Sequence, residues 1–404
     1  MYNKNNQKTL LVIHDTDLHG FSCGVNALYV LKDFANVNVY SDFPKTTPMS
    51  LAEVIESLGI CDLIIMDIPI DIRNPKRYID SLMSHAQYKG KVFWLDHHGH
   101  SQWVSELNKQ GVTAIVYGTS YDLSLSVPRM YGKVDSFVEK WALIGALADF
   151  DTSIADKVSR DLEELVCEYL DQALKFQRES LARHLNISID TSKGNVGYLS
   201  YGIATKMIEP DLVLDYARVV TNPLQIPNYN TIGSVVYTTQ LPQVGLQWKT
   251  AWKLCCLTQC KVAIVPAFNP RLNQYAIIIA KYWRAEPEIA QIIEEFVQKE
   301  FSGRQIVGHV GARSISLMSE NEIQRIPEIA RKLNEYIESK IYTPRTTRLV
   351  NEQVVARALH QDFSLILQKL TEILEEQRKM YEEYLKLKRR QVELLEETRE
   401  TRYD

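Results

Sequence analysis

From residue 9 to about 118 the chain alternates short β-forming runs with amphipathic stretches of helix length, an alternation that few folds accommodate. The runs are TLLVIHD, VNVYSD, DLIIMDI, KVFWLDHH and TAIVYG. Between them, SCGVNALYVLKDFA, SLAEVIESLG, PKRYIDSLMSHAQ and SQWVSELNKQG read as helices. The strands carry continuous apolar runs rather than alternating ones, as strands buried on both faces do. The expected fold class is therefore α/β, with a mainly parallel sheet covered by helices on each side. Open sheets of this kind receive ligands beyond the carboxyl ends of their strands.

Residues 133–150 and 154–184 read as helices, with apolar positions three and four apart and no internal proline. The stretch 185–235 holds PDLVLD, NPLQIPNYN and several glycines, and a connection between domains is expected inside it. A second, smaller α/β unit follows. KVAIVPAFNPRLNQYAIIIAKYW gives two β runs about an Asn-Pro turn; then come a helix from Pro287 to Phe301, the stretch GRQIVGHVGARSISL, and a helix near 320–339. The tail changes character. Steps of three and four pick out Phe363, Ile366, Leu370, Ile373, Gln377, Met380, Tyr384, Leu387, Gln391 and Leu394, a coiled-coil seam with glutamine at two positions. Self-association through residues 351–404 is expected, the alternatives being a single helix folded back on its own domain and a tail that docks a partner protein.

Lys and Arg number 46 against 50 Asp and Glu, a net charge of −4, which argues against coating long nucleic acid through a broad basic surface. A small anion held in a local pocket is compatible with it. No run reaches the roughly 18 apolar residues of a membrane span, and MYNKNNQKTLLVI lacks the form of a signal peptide, so a cytoplasmic location is expected. The six cysteines stand among apolar neighbours; CCLTQC reads as a buried small-residue cluster and not as a metal site.

The chemistry gathers at the strand ends. LLVIHDTDLHG closes one strand in Asp15, Asp17 and His19, LIIMDI closes another in Asp67, and VFWLDHHGH closes a third in Asp96, His97 and His98. A further acid pair, Asp149 and Asp151, ends the helix in ALADFDTS. One acid at a strand end commonly caps the next helix. Four clusters on one sheet edge repel one another unless a cation neutralises them. Mixed carboxylate and imidazole donors suit manganese, iron, zinc or magnesium, and there are enough of them for two ions. Two-metal sites activate water for in-line attack on a phosphoryl centre.

At these residues the chain resembles the DHH phosphoesterases, named for the motif standing here as Asp96-His97-His98, over most of residues 9 to about 345. The family's second domain, DHHA1, has a glycine-rich stretch with a histidine, which VGHVGARS (Val307–Ser314) resembles. The resemblance implies a DHH catalytic domain at 1–190, a connection at 191–235, a DHHA1-like domain at 236–345 and a coiled-coil helix at 346–404. It implies Asp15, Asp17, His19, Asp67 and His97 as metal ligands, with Asp67 bridging two ions and Asp149 or Asp151 as the last ligand. His98 would face the substrate phosphate, Asp96 would orient its neighbours, and His309, beside Gly308, would close over substrate. The first motif departs from the family: it reads Asp15-x-Asp17-x-His19-Gly20, where members read His-x-Asp-x-Asp-Gly or Asp-x-Asp-x-Asp-Gly. An alternative register brings in His14. Arg313 stands where small residues are usual and could pair with a phosphate; Arg304 is a weaker candidate.

The resemblance therefore implies a phosphodiesterase of the oligoribonuclease or nanoRNase-like branch, using two divalent ions, manganese foremost with magnesium or zinc as alternatives. Its substrates would be short oligonucleotides or dinucleotides, with Tyr275, Tyr282 and Trp283 available to stack a base. Rival readings are a catalytically altered nucleotide sensor signalling through the coiled coil, and a single-stranded DNA exonuclease.

Overall fold

The computed structural model describes residues 8–13, 17–33, 36–41, 51–70, 75–98, 101–188, 197–270, 273–309 and 311–341. The described residues up to Ile337 form one compact unit. The coiled-coil seam, Asp15 and His14 lie outside the described residues.

The first sheet comprises β1 (Lys8–Ile13), β2 (Asn36–Ser41), β3 (Asp62–Met66), β4 (Val92–Asp96) and β5 (Val112–Val116). Interleaved with them are α1 (Leu18–Leu31), α2 (Leu51–Ser57), α3 (Pro75–Tyr88) and α4 (Ser101–Lys109). All pairings in this sheet are parallel, in the order β2-β1-β3-β4-β5. Leaving β1 the chain goes to one side, and returning to β3 it comes to the other. That reversal opens a crevice between β1 and β3, where sheets of this class bind ligands.

One face packs Val12, Leu63, Ile65 and Trp94 under α2, α3 and α4. The other receives α1, whose fourteen residues are all buried because α7 (Ser136–Ala148) and α11 (Gly197–Lys206) enclose it. Around these lie α5 (Ser120–Ser124), α6 (Ser126–Met130), α8 (Arg160–Glu164), α9 (Asp171–Phe176), α10 (Arg178–His184) and α12 (Pro210–Val220).

Two expectations change here. The helix anticipated over 154–184 is broken: Ser159 caps a new start, a π turn occupies Leu165–Leu170, and Gln177 leaves helical geometry at φ −129°. The stretch anticipated as a connection holds α11 and α12. Its glycines suggested loop, but Gly202 lies inside α11, where a Cβ would come within 2.6 Å of Ile187. That glycine serves close packing, and Leu199, Ile203, Val213 and Leu214 are buried around it.

A second, six-stranded sheet runs β10-β11-β9-β8-β7-β6. Its strands are β6 (Asn230–Ile232), β7 (Val235–Tyr237), β8 (Val262–Asn269), β9 (Gln274–Lys281), β10 (Ile306–His309) and β11 (Ala312–Ser316), with the β7–β8 pair parallel and the others antiparallel. α14 (Pro287–Glu300) and α15 (Ile326–Ile341) cover one face with Ile289, Ile293, Phe296 and Leu333. α13 (Gln247–Thr258) lies on the other, and its core is continuous with that around α1 and α7. All six cysteines are free, and five are buried. Among the described residues no helix is long and apolar enough to cross a membrane.

Candidate metal centre

Parallel strands end on one edge, so the residues following β1, β3 and β4 meet. His19 enters from the first turn of α1, Asp67 follows β3, and His97 and His98 follow β4. Asp149, the residue capping the carboxyl end of α7, arrives from the side. Asp67 holds a left-handed backbone at φ 60°, rare for a residue with a Cβ and tolerated best by Asp and Asn. Strain of this sort, of the order of 1–3 kcal/mol, concentrates at functional sites.

Four donor atoms alternate, nitrogen with oxygen, each within 3.4 Å of its two neighbours. His19 Nδ1 lies 3.1 Å from Asp67 Oδ1 and 3.2 Å from Asp149 Oδ2. His97 Nε2 lies 3.1 Å and 3.4 Å from the same two oxygens. Metal–ligand bonds of about 2.1 Å place adjacent donors roughly 3.0–3.4 Å apart, which is the spacing found here. His19 Nδ1 also supplies a direct test of fit: it is buried and makes no hydrogen bond, although two carboxylate oxygens stand beside it. His19, His97 and Asp149 form one potential cation-binding group, and Asp67, His97 and His98 a second.

The electrostatics express the same demand for positive charge. Burial opposes a charged His19, but the Asp67 carboxylate, with Cys23 and Asp149, outweighs it and raises the His19 pKa well above the usual imidazole range. Burial likewise opposes a charged Asp67, yet His19 and His97 hold its carboxyl well below the ordinary range. Among the described residues the ion pairs of Asp67 and Asp149 are with histidines, not with lysine or arginine.

The other anticipated residues take different positions. Asp96 is wholly buried and accepts from His98 Nδ1 at 2.7 Å and from the His98 backbone N–H at 3.3 Å. Burial opposes charge on His98, but the Asp96 hydrogen bond prevails and raises its pKa to about 9. Asp17 caps α1 by accepting from Gly20 N–H at 2.9 Å and stands outside the two donor groups. So does Asp151, which accepts from the backbone N–H groups of Tyr121 and Ser153 at 3.1 and 2.9 Å.

Gly308 and His309 lie on β10, an edge strand of the second sheet, with Gly308 at φ 112°. Arg313 is held by Glu294 through Nε at 2.8 Å and Nη2 at 2.8 Å, and Arg304 by Glu322 at 3.0 Å. Tyr282 and Trp283 are buried, and the Trp283 indole donates to Glu163 at 2.7 Å, so neither offers a base-stacking surface.

Three residues near the site were not anticipated. Ser120 touches three of the four converging side chains. Lys249, on α13, is buried and donates to the Ala148 carbonyl at 3.0 Å, beside Asp149. Burial opposes its charge, but Asp171, Cys167, Asp149 and Asp17 keep its pKa above the usual value. Gly145 lets α7 approach α1: a Cβ there would stand 2.8 Å from Ser22 Cβ and 3.3 Å from the His19 ring. Gly145→Ala is expected to destabilise the fold by about 1–3 kcal/mol, the usual penalty of overpacking, and to displace His19. Urea denaturation with and without manganese checks this, since displacing His19 should shrink the stabilisation that manganese gives as well as lowering the metal-free value.

No protein-family model and no curated protein matches the chain. Solved structures do match. A pGpG-specific phosphodiesterase, PggH from Vibrio cholerae, is 13% identical and aligns over 81% of this chain and 99% of its own, with a TM-score of 0.43. The exonuclease RecJ bound to manganese is 12% identical over 83% of this chain and 91% of its own, with a TM-score of 0.39. RecJ from Thermus thermophilus in complex with Mn2+ is 13% identical over 82% and 52%, with a TM-score of 0.37.

Proposed function

We propose that the chain is a DHH-type, divalent-metal-dependent phosphodiesterase that hydrolyses short oligonucleotides or dinucleotides to mononucleotides. The observation that carries this reading is the unbonded, buried His19 Nδ1 facing Asp67 and Asp149 with His97 across from it. His19, Asp67, His97 and Asp149 would hold the metal. Bound there, divalent ions lower the pKa of water and neutralise charge on a phosphoryl group. Manganese is the leading candidate because the donors mix carboxylate oxygen with imidazole nitrogen.

The remaining work falls to the chain's own groups. His98 hydrogen-bonds Asp96 through Nδ1, which directs Nε2 away from that carboxylate, and its ring is a quarter exposed. Its raised pKa keeps the imidazole cationic at neutral pH, suited to hold a phosphate oxygen or give a proton to a leaving oxygen. Asp96, buried beneath it, fixes the ring and balances its charge. His309 is proposed to meet the substrate from the second sheet. Catalysis by such a site needs the phosphodiester positioned and its charge offset, which a compact cluster does without a long basic groove.

The test is a panel of two- to five-nucleotide RNA and DNA, linear dinucleotides and cyclic dinucleotides, each with manganese, magnesium or zinc. Mononucleotide release from the shortest linear substrates, abolished by EDTA and restored by manganese, is expected. No release from any substrate with any of the three metals would defeat the proposal.

A further inference from the structure

Imidazole ligands must turn a lone pair toward the ion, so something has to hold the proton on the opposite ring nitrogen. For His19 that partner is the Ser120 carbonyl, 3.0 Å from Nε2. A carbonyl oxygen only accepts, so Nε2 carries a proton, and Nδ1, beside the Asp67 and Asp149 oxygens, is the nitrogen left to turn its lone pair to an ion bound between them. For His97 the partner is the hydroxyl of the same residue: Ser120 Oγ stands 3.4 Å from Nδ1. That hydroxyl also donates to Asp149 Oδ2 at 2.8 Å, so its lone pairs are what remain for the His97 N–H. Ser120, 5% exposed, thus reaches His19, His97 and Asp149 at once.

Ser120 is itself firmly placed. It opens α5, where Thr119 accepts from Asp122 N–H at 3.0 Å and donates to the Asp122 carboxylate at 2.9 Å. The next residue, Tyr121, gives its backbone N–H to Asp151. Asp151, which stands outside the donor groups, therefore anchors the turn that carries Ser120. Behind α5, Asn26 of α1 donates to the Ser124 carbonyl at 3.2 Å and to the Val138 carbonyl at 3.0 Å, tying the turn to α1 and α7.

We propose that Ser120 is the positioning residue of the candidate metal centre: its carbonyl and hydroxyl together set the proton positions of His19 and His97 and steer the Asp149 carboxylate toward the ion. The inference rests on the metal-site reading above and adds a residue outside the ligands. Its hydroxyl is separable from its carbonyl by substitution, since Ser120→Ala removes only the former and Ser120→Thr retains both.

The experiment is calorimetric titration of the full chain with Mn2+, and visible spectroscopy of the Co2+ form, for the wild type, Ser120→Ala and Ser120→Thr. Loss of such a partner typically weakens metal binding by about 10- to 100-fold, and a fall of that size is expected for Ser120→Ala, with altered Co2+ bands and an unchanged metal-free Tm. Ser120→Thr should remain near wild type in affinity and bands. Wild-type affinity and bands in Ser120→Ala would overturn the inference, and so would equal weakening in both variants, which would point to packing instead of the hydroxyl. Failure of the wild type itself to bind either ion would remove the metal-site reading, a result distinct from the other two.

Discussion

Asp67→Asn is expected to lower divalent-ion affinity by more than about 100-fold, beyond the 10- to 100-fold typical of a group that only supports a ligand, and to abolish metal-dependent phosphodiester hydrolysis. Asp67 is 1% exposed and is the carboxylate shared by His19 and His97, each 3.1 Å away, with His98 at 4.0 Å. Its removal leaves His19 and His97 gathered around the carboxylate of Asp149 alone, a set whose charge no longer offsets a dication.

Asparagine is the informative substitution because of the backbone. At φ 60° an alanine would add conformational strain, whereas asparagine adopts the left-handed region about as readily as aspartate. The side-chain volume is also conserved, so Trp94, whose indole donates to the Ile68 carbonyl at 3.1 Å, keeps its place behind β3. A metal-free variant that melts within a few degrees of wild type while failing to take up Mn2+ would assign the effect to charge. Manganese affinity within about threefold of wild type would show that Asp67 is not a ligand, as loss of a charged donor cannot be that mild.

The first sheet was legible because its pattern is local: five apolar runs separated by helix-length stretches dictate parallel order, and parallel order gathers Asp67 and the Asp96–His98 segment on one edge. The resemblance put Asp149 first without separating it from Asp151, for a specific reason. Which carboxylate joins the histidines depends on how the chain leaves α7, and Phe150 does so at φ 58°, separating the two side chains. One comes to the histidines and the other caps the following turn and Tyr121. Ser120 gave a weak signal, the Thr-Ser-Tyr-Asp helix start, but its contacts to His19 span 101 residues and no local pattern encodes them. Lys249 is similar: a lysine amid QWKTAWKL reads as an exposed helix face, and only the carbonyl of Ala148 and surrounding carboxylates make its burial tolerable. The broken helix over 154–184 escaped detection because a π turn keeps nearly helical side-chain spacing.

Glu163→Gln is expected to destabilise the fold by about 3–5 kcal/mol, the cost of leaving a buried ionic partner uncompensated. Glu163, on α8, is 2% exposed and joins three elements. Oε1 accepts from the indoles of Trp252 and Trp283 at 2.6 and 2.7 Å, and Oε2 from Arg284 Nε at 2.8 Å. The Arg284 guanidinium also donates to the carbonyls of Ala155 at 3.1 Å and Val158 at 2.8 Å. A glutamine oxygen can still accept from the indoles, but its amide N–H groups then face the Arg284 N–H, donor against donor, and the guanidinium loses its counter-ion. Replacing both partners, Glu163→Gln with Arg284→Met, should recover part of the loss, because an apolar pair carries no desolvated charge. Urea denaturation of the two single variants and the double variant measures the coupling. The effect should reach the candidate metal centre at reduced strength: Trp252 shares α13 with Lys249, which holds the Ala148 carbonyl next to Asp149. Additive single-variant losses would show that the Glu163–Arg284 contact does not bind the two layers. A stability loss below about 1 kcal/mol would mean that water reaches the carboxylate despite its burial.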